Sequence, residues 1–130
     1  MSYLDSYFGT SAEAMALIAH LEATVDSGNP AIEVRQVFSD LGLDRLSGNY
    51  TDTRIEGFGD AFMLVAALAA LIVESERLTF HVDSKENTQI NTALKYFALS
   101  PEDHAAANRF DEDDLSEFAD LSEQLRGRLD

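Results

Sequence analysis

The segment from Asp60 to Glu74 reads DAFMLVAALAALIVE, and the thirteen residues from Ala61 to Val73 form the longest apolar run in the chain. A helix of this composition is apolar on every side, so other elements must enclose it. The run is also too short to cross a bilayer, which takes about 20 apolar residues. The segment therefore predicts a central helix over residues 61–77, in the core of a mainly α-helical fold.

About six helices are predicted to pack around this centre. Thr10 and Glu13 have the spacing of a capping box, which indicates the start of a first helix. Asn29 and Pro30 have the residue types of an N-cap followed by proline in the first turn, which predicts a second helix that ends near Leu41.

The last third of the chain has three further helix signals. Apolar residues at helical spacing predict one helix after residue 87. Ser100, Pro101 and Asp103 repeat the cap, proline and acid pattern of a helix start. From Asp111 onward, a final amphipathic helix is predicted by an apolar stripe interrupted only by a serine. The members of that stripe are Leu115, Phe118, Ser122, Leu125 and Leu129.

A small two-stranded β element is also predicted. Residues 78–83 alternate between apolar and polar side chains, as in a half-buried strand. Residues 50–56 lie between glycines in a stretch without helical periodicity, and they are the predicted partner strand. No repeat or linker interrupts the chain, so residues 1–130 are expected to form one globular domain.

Charge is the property in which this chain departs most from an average protein. There are 24 Asp and Glu residues against 9 Lys and Arg, and the formal net charge is -15. Ten of the acids follow residue 100, where only three basic residues occur. Proteins that bind nucleic acids or anionic membranes directly neutralise phosphates with Lys and Arg, so this balance excludes both classes from the expected functions.

The remaining composition excludes several kinds of functional site. Cysteine is absent, which excludes disulfides, thiolate zinc sites and a cysteine nucleophile. The stretch from Met1 to Phe8 lacks the basic residues with which a secretory signal begins. We therefore expect a cytoplasmic protein, with no cofactor and no metal.

The densest polar feature is the acidic run that begins the final helix. Carboxylates in the first turn of a helix cap free N–H groups and complement the helix dipole, which is one interpretation of the run. Acids at positions i, i+4 and i+7 also share one face and can meet a basic partner surface, which is the second interpretation. Under it, the predicted partner-binding residues are Asp111, Asp113, Asp114, Glu117 and Asp120.

Catalytic and metal-binding patterns are weak. The histidines His20, His81 and His104 do not have the spacing of metal ligands. An EF-hand loop needs glycine at its sixth position, where the acidic run has Ser116. His81 and Asp83 point to the same face of the predicted strand, so they form either a surface pair or a histidine oriented by a carboxylate.

The leading functional hypothesis is a non-catalytic acidic protein that docks a basic protein partner. An inhibitor, an immunity-type antitoxin and a mimic of nucleic-acid charge all fit this description. The alternative is that the acidity reflects a source organism with a salty cytoplasm, which the two lysines among nine basic residues also fit. In that case the domain has an unidentified ligand-binding or enzymatic role.

We expect no binding to duplex DNA or RNA near physiological salt, because the negative surface repels phosphates. An electrophoretic mobility shift assay without added divalent metal checks this. A shifted band at micromolar protein would contradict the expectation.

Overall fold

The computed structural model describes residues 11–26, 31–43, 53–75 and 78–129. Within these ranges the fold is mainly α-helical, as predicted, with five α-helices and two short 3₁₀ turns. The helices are α1 (Ala12–Asp26), α2 (Val34–Leu41), α3 (Ala61–Glu74), α4 (Ser84–Leu99) and α5 (Glu112–Leu129). The 3₁₀ turns, Pro101–Asp103 and Ala105–Arg109, lie between α4 and α5. Four short strands complete the fold: β1 (Ala31–Glu33), β2 (Arg54–Ile55), β3 (Gly59–Asp60) and β4 (Thr79–His81).

The α3 helix is the centre of the fold, as its composition predicts. Every residue from Ala61 to Leu71 is buried, and α1, α4 and α5 all pack against it. The helix ends at Glu74, where the N–H of Ser75 donates to the carbonyl oxygen of Leu71 at 2.8 Å. The predicted end near residue 77 is thus too late, because Ser75 has extended backbone angles.

The buried start of α3 has its backbone donors satisfied by three different segments. The N–H of Ala61 donates to the carbonyl oxygen of Thr53 at 2.8 Å, and the N–H of Met63 donates to the Asp60 carboxylate at 3.1 Å. The N–H of Asp60 itself donates to the buried carboxylate of Glu13, at 2.9 Å. Since unpaired buried N–H groups are costly, these contacts fix how α3 meets α1 and the chain before it.

The Glu13 side chain lies so close to Gly59 that any other residue at position 59 would force neighbouring atoms to move. A Cβ atom at position 59 would lie 2.6 Å from Glu13 Oε2, and Gly59 has a φ of 113°. The Glu13 carboxylate is therefore held at the start of α3. Its predicted capping-box partner, Thr10, lies outside the described residues, and the Ser11 hydroxyl accepts a hydrogen bond from the N–H of Ala14 at 3.1 Å.

The strands pair differently from the prediction. β4 forms within residues 78–83, but it pairs in parallel with β1, with Ile32 opposite Phe80. In the segment predicted as its partner, β2 pairs instead with β3 in a short antiparallel hairpin, while residues 50–52 lie outside the described residues. The predicted pairing of 50–56 with 78–83 is wrong because periodicity identifies a strand and not its distant neighbour.

Two predicted helix starts also take other conformations. Residues 31–33, predicted as the first turn of the second helix, are β1, and α2 begins only at Val34. The segment from Ser100 to Asp103, predicted as a helix start, forms only a short 3₁₀ turn. The turn cannot continue as a helix because His104 has extended backbone angles. Pairing with β4 overrides the local helix signal in the first case.

Replacing Leu68 by Asp should destabilise the protein by about 3–5 kcal/mol, because the side chain is buried in α3 and the new charge has no partner there. Urea unfolding followed by circular dichroism measures this loss. Met15→Asp is the matched control, since Met15 is 64% exposed. Equal stability of the two variants would show that α3 is not the centre of the core.

Candidate functional site

Three carboxylates form an exposed row along α5. Asp113, Glu117 and Asp120 are all exposed, and their i, i+4 and i+7 positions place them on one face. Along the helix axis they are separated by about 6 Å and about 4.5 Å. The basic residues in the last turn of α5 are Arg126 and Arg128. We call Asp113, Glu117 and Asp120 the acidic row.

The other two predicted partner-binding residues lie at the start of the helix. The Asp111 carboxylate accepts a hydrogen bond from the N–H of Asp114 at 2.8 Å, so Asp111 caps α5. Its side chain is nevertheless exposed, while that of Asp114 is half-buried. The structural interpretation is thus confirmed at Asp111, whereas partner binding by the acids of this run stays a prediction. Capping accounts for Asp111, and the acidic row faces solvent.

The opposite face of α5 is buried. It contains Phe118, Leu121, Ser122 and Leu125. Ser122, the one polar member, donates its hydroxyl to the carbonyl oxygen of Phe118 at 2.9 Å. Because that hydrogen bond lies within the helix, the serine is tolerated in the core. The helix thus has one face that anchors it and another that is free to interact.

An aromatic cluster holds α5 against the rest of the core. Phe118 packs edge-on against Phe97 of α4 and Phe62 of α3, with ring centroids 5.0 and 6.0 Å apart. Phe62 and Phe97 stack on each other at 4.6 Å, and Phe110 stacks on Phe118 at 5.1 Å. Such aromatic pairs each contribute about 0.5–1.5 kcal/mol beyond the burial of area. The acidic row therefore stands on a rigid support.

His104 completes this cluster, and nothing in the spacing of the histidines indicated it. It is 5% exposed, and its ring lies edge-on to Phe97 and Phe62, at 5.0 and 5.3 Å. Burial lowers the pKa of His104, and this effect outweighs the opposing influence of the Ser100 carbonyl and of the Asp60 and Asp103 charges. His104 Nδ1 lies 3.3 Å from the carbonyl oxygen of Ser100.

Two further acids are exposed on an element that packs against α5, and they are not among the residues predicted to bind a partner. Glu102 and Asp103 are exposed on the first 3₁₀ turn, which packs against α5. In the sequence, Asp103 indicated only the start of a helix. Both residues belong to the acid-rich last thirty residues, and that charge imbalance was the available clue.

His81 lies on the surface with Asp83 beside it, whereas His20 is half-buried. His81 Nε2 is 3.6 Å from Asp83 Oδ1, with side chains 65% and 44% exposed. This exposure fits the surface-pair interpretation better than an oriented catalytic base, which is usually held in a cleft. His20 Nε2 lies 3.5 Å from Asp40 Oδ2, and its ring packs edge-on against Phe58.

Within the described ranges, no cluster of His, Asp and Glu could hold a metal ion. No helix in the same ranges has the length and hydropathy needed to cross a membrane.

Comparison with known proteins identifies the family. A family model described as Immunity protein 68 matches residues 1–79 and 74–129. The chain belongs to the immunity protein 68 family. This membership indicates an immunity-type protein and favours a non-catalytic role. The comparisons found no matching curated protein and no matching solved structure.

The contribution of His104 to the stability of this immunity protein should fall as the pH drops below about 6.5, the usual histidine value. In the unfolded chain His104 takes up a proton there, whereas in the folded protein its lowered pKa resists protonation. The loss has a limiting slope of about 1.4 kcal/mol per pH unit, and it stops below the folded-state pKa.

Unfolding of wild type and His104→Gln between pH 8 and pH 5 measures this effect, because glutamine is polar but does not titrate. His81→Gln is the matched control, since it removes one imidazole from the surface. If His104→Gln and wild type lose stability in parallel, His104 is not the group responsible.

Proposed function

We propose that this immunity protein binds a basic protein toxin through the acidic row and its neighbouring acids, and that it holds the toxin inactive without catalysing a reaction. The observation that supports this most is the acidic row itself. It is exposed, it stands on a rigid aromatic support, and it belongs to a member of an immunity protein family.

The helix dipole accounts for only part of the acidic surface. Asp113 lies in the first turn of α5, where a carboxylate is favourable. Glu117 and Asp120 lie beyond that turn, where the dipole no longer favours them. Like charges at i, i+4 spacing cost a few tenths of a kcal/mol. A partner that needs negative charge explains why these positions are acidic, and helix stability does not.

Several like charges on one face act together at a distance. At physiological salt the screening length is about 8 Å, so charges spaced by one helical turn reinforce one another in attracting a positive surface. Complementary charges of this kind raise association rates and steer the partner into register. An immunity-type protein gains from this, because a toxin must be bound before it reaches its target.

The acidic row also suits a toxin that itself binds nucleic acid. Such a toxin has a positive surface that neutralises phosphates. Carboxylates spaced along a helix can occupy that surface in place of the phosphates, and the toxin is then kept from its substrate. In this form of the proposal, the protein mimics the charge of a nucleic acid.

The toxin is identified in two steps. The tagged protein is used to capture partners from its source cells at low salt, and the bound proteins are identified by mass spectrometry. Each candidate is then expressed alone and together with this protein. The toxin is the candidate that arrests growth alone and does not arrest it in the presence of the immunity protein.

With that toxin, the triple variant Asp113→Asn, Glu117→Gln, Asp120→Asn should associate about tenfold more slowly than wild type, with a weaker dependence on salt. Folding should change little, because the three side chains face solvent. Stopped-flow or surface-based kinetics at several salt concentrations give both quantities.

The matched control removes the same number of charges from other exposed positions, as Glu33→Gln, Asp40→Asn, Glu56→Gln. Equal slowing in both triple variants would show that total charge, and not the acidic row, attracts the partner. If neither variant binds more slowly and the wild type unfolds when salt is removed, the acidity belongs to a high-salt organism, as in the alternative hypothesis.

A further inference from the structure

Two large apolar side chains are exposed near the end of α4. Tyr96 is 47% exposed and Leu99 is 69% exposed. Scattered exposed apolar residues are normal, but these two lie three residues apart on α4 and so share one helix face. The other strongly exposed large apolar residue in the described ranges is Met15 on α1, at 64%.

Tyr96 and Leu99 are not part of the core-facing stripe of α4. That stripe consists of buried residues, among them Ile90, Ala93 and Phe97. The exposed face carries no acid, and both lysines of the chain lie on it. Its exposed members are Ser84, Lys85, Thr88, Lys95, Tyr96 and Leu99.

The packing of α4 against α5 brings this apolar pair to the acidic end of the molecule. Phe97 near the end of α4 contacts Phe118 in the first half of α5. Ser84 at the start of α4 and Arg128 at the end of α5 line one groove. The two helices are therefore antiparallel. Tyr96 and Leu99 lie at the end of the pair where α5 begins with its acids.

Two acids adjoin the apolar pair directly along the chain. Glu102 and Asp103 follow Leu99 by three and four residues, and both are exposed. The turn that carries them packs against both α4 and α5. The apolar pair therefore lies between the exposed Lys95 on one side and these two carboxylates on the other. Protein interfaces have this arrangement, with apolar and aromatic residues in the centre and charged residues at the rim.

We propose that Tyr96 and Leu99 are the apolar anchors of the toxin-binding surface, and that Glu102 and Asp103 form the part of its charged rim next to them. This rests on the proposed function. The occupant is the basic toxin, because Glu102, Asp103 and the net charge of -15 match positive charge. A second copy of this chain would carry the same negative charge and would be repelled.

The proposal assigns separate kinetic roles to the two groups of residues. Rim charges act mainly on association, whereas buried anchors act on dissociation. Tyrosine is among the residue types most often found at energetic hot spots. The toxin should accordingly present an apolar recess, bordered by Lys or Arg, that receives Tyr96 and Leu99.

The test measures association and dissociation with the toxin identified as described above, for wild type, Tyr96→Ala, Leu99→Ala and the double variant. We expect the double variant to dissociate at least about tenfold faster, with an association rate close to that of wild type. Met15→Ala is the matched control, since it removes an equally exposed apolar side chain from α1. Unfolding midpoints near that of wild type confirm that the variants fold.

The outcomes separate this proposal from the one on which it rests. If the acidic-row variant associates slowly but the double variant dissociates at the wild-type rate, the toxin binds the acids and the anchors lie elsewhere. Equal acceleration of dissociation by Met15→Ala would also overturn the assignment. If no captured protein is toxic, or none is neutralised, the proposed function fails and this proposal fails with it.

Discussion

The fold depends on the need to enclose one helix that has no polar face. Every residue of α3 from Ala61 to Leu71 is buried, so neighbouring elements must supply apolar surface around it. The α1, α4 and α5 helices do so. The exposed faces of those helices can then vary in character, because stability comes from their inner faces. This division allows α5 to be acidic outside and aromatic inside.

A buried polar contact sets the entry to α3. Glu13 and Asp60 are both buried and lie 47 positions apart, and the carboxylate of Glu13 accepts the N–H of Asp60. Gly59 permits this approach, since a side chain there would overlap the Glu13 carboxylate. Because buried polar groups must be paired, the contact specifies one arrangement of α1 relative to α3. Apolar packing alone would specify that arrangement less strictly.

The acidic row must face water, whereas the aromatic side chains that support it must be buried. The helical periodicity of α5 places the two sets on different faces. Phe118 faces the aromatic cluster, and Glu117, one position earlier, faces solvent. A rigid support lowers the entropy that is lost when a surface binds a partner. His104 lies within this support, so acid conditions act on the same structure that holds the acidic surface in place.

The sequence by itself determined the features that depend on local patterns: the central helix, the acidic face of α5 with Asp113, Glu117 and Asp120, and the mainly α-helical class. These follow from periodicity and charge along one segment, which need no knowledge of distant residues. Only the tertiary structure decided that β4 pairs with β1, that Glu13 binds the start of α3 and that His104 is buried. Each of these joins residues far apart in the chain or depends on what surrounds a side chain, and such neighbours leave no periodic signal in the sequence. For the same reason, only the antiparallel packing of the last two helices showed that Tyr96 and Leu99 lie at the end of the pair where α5 begins.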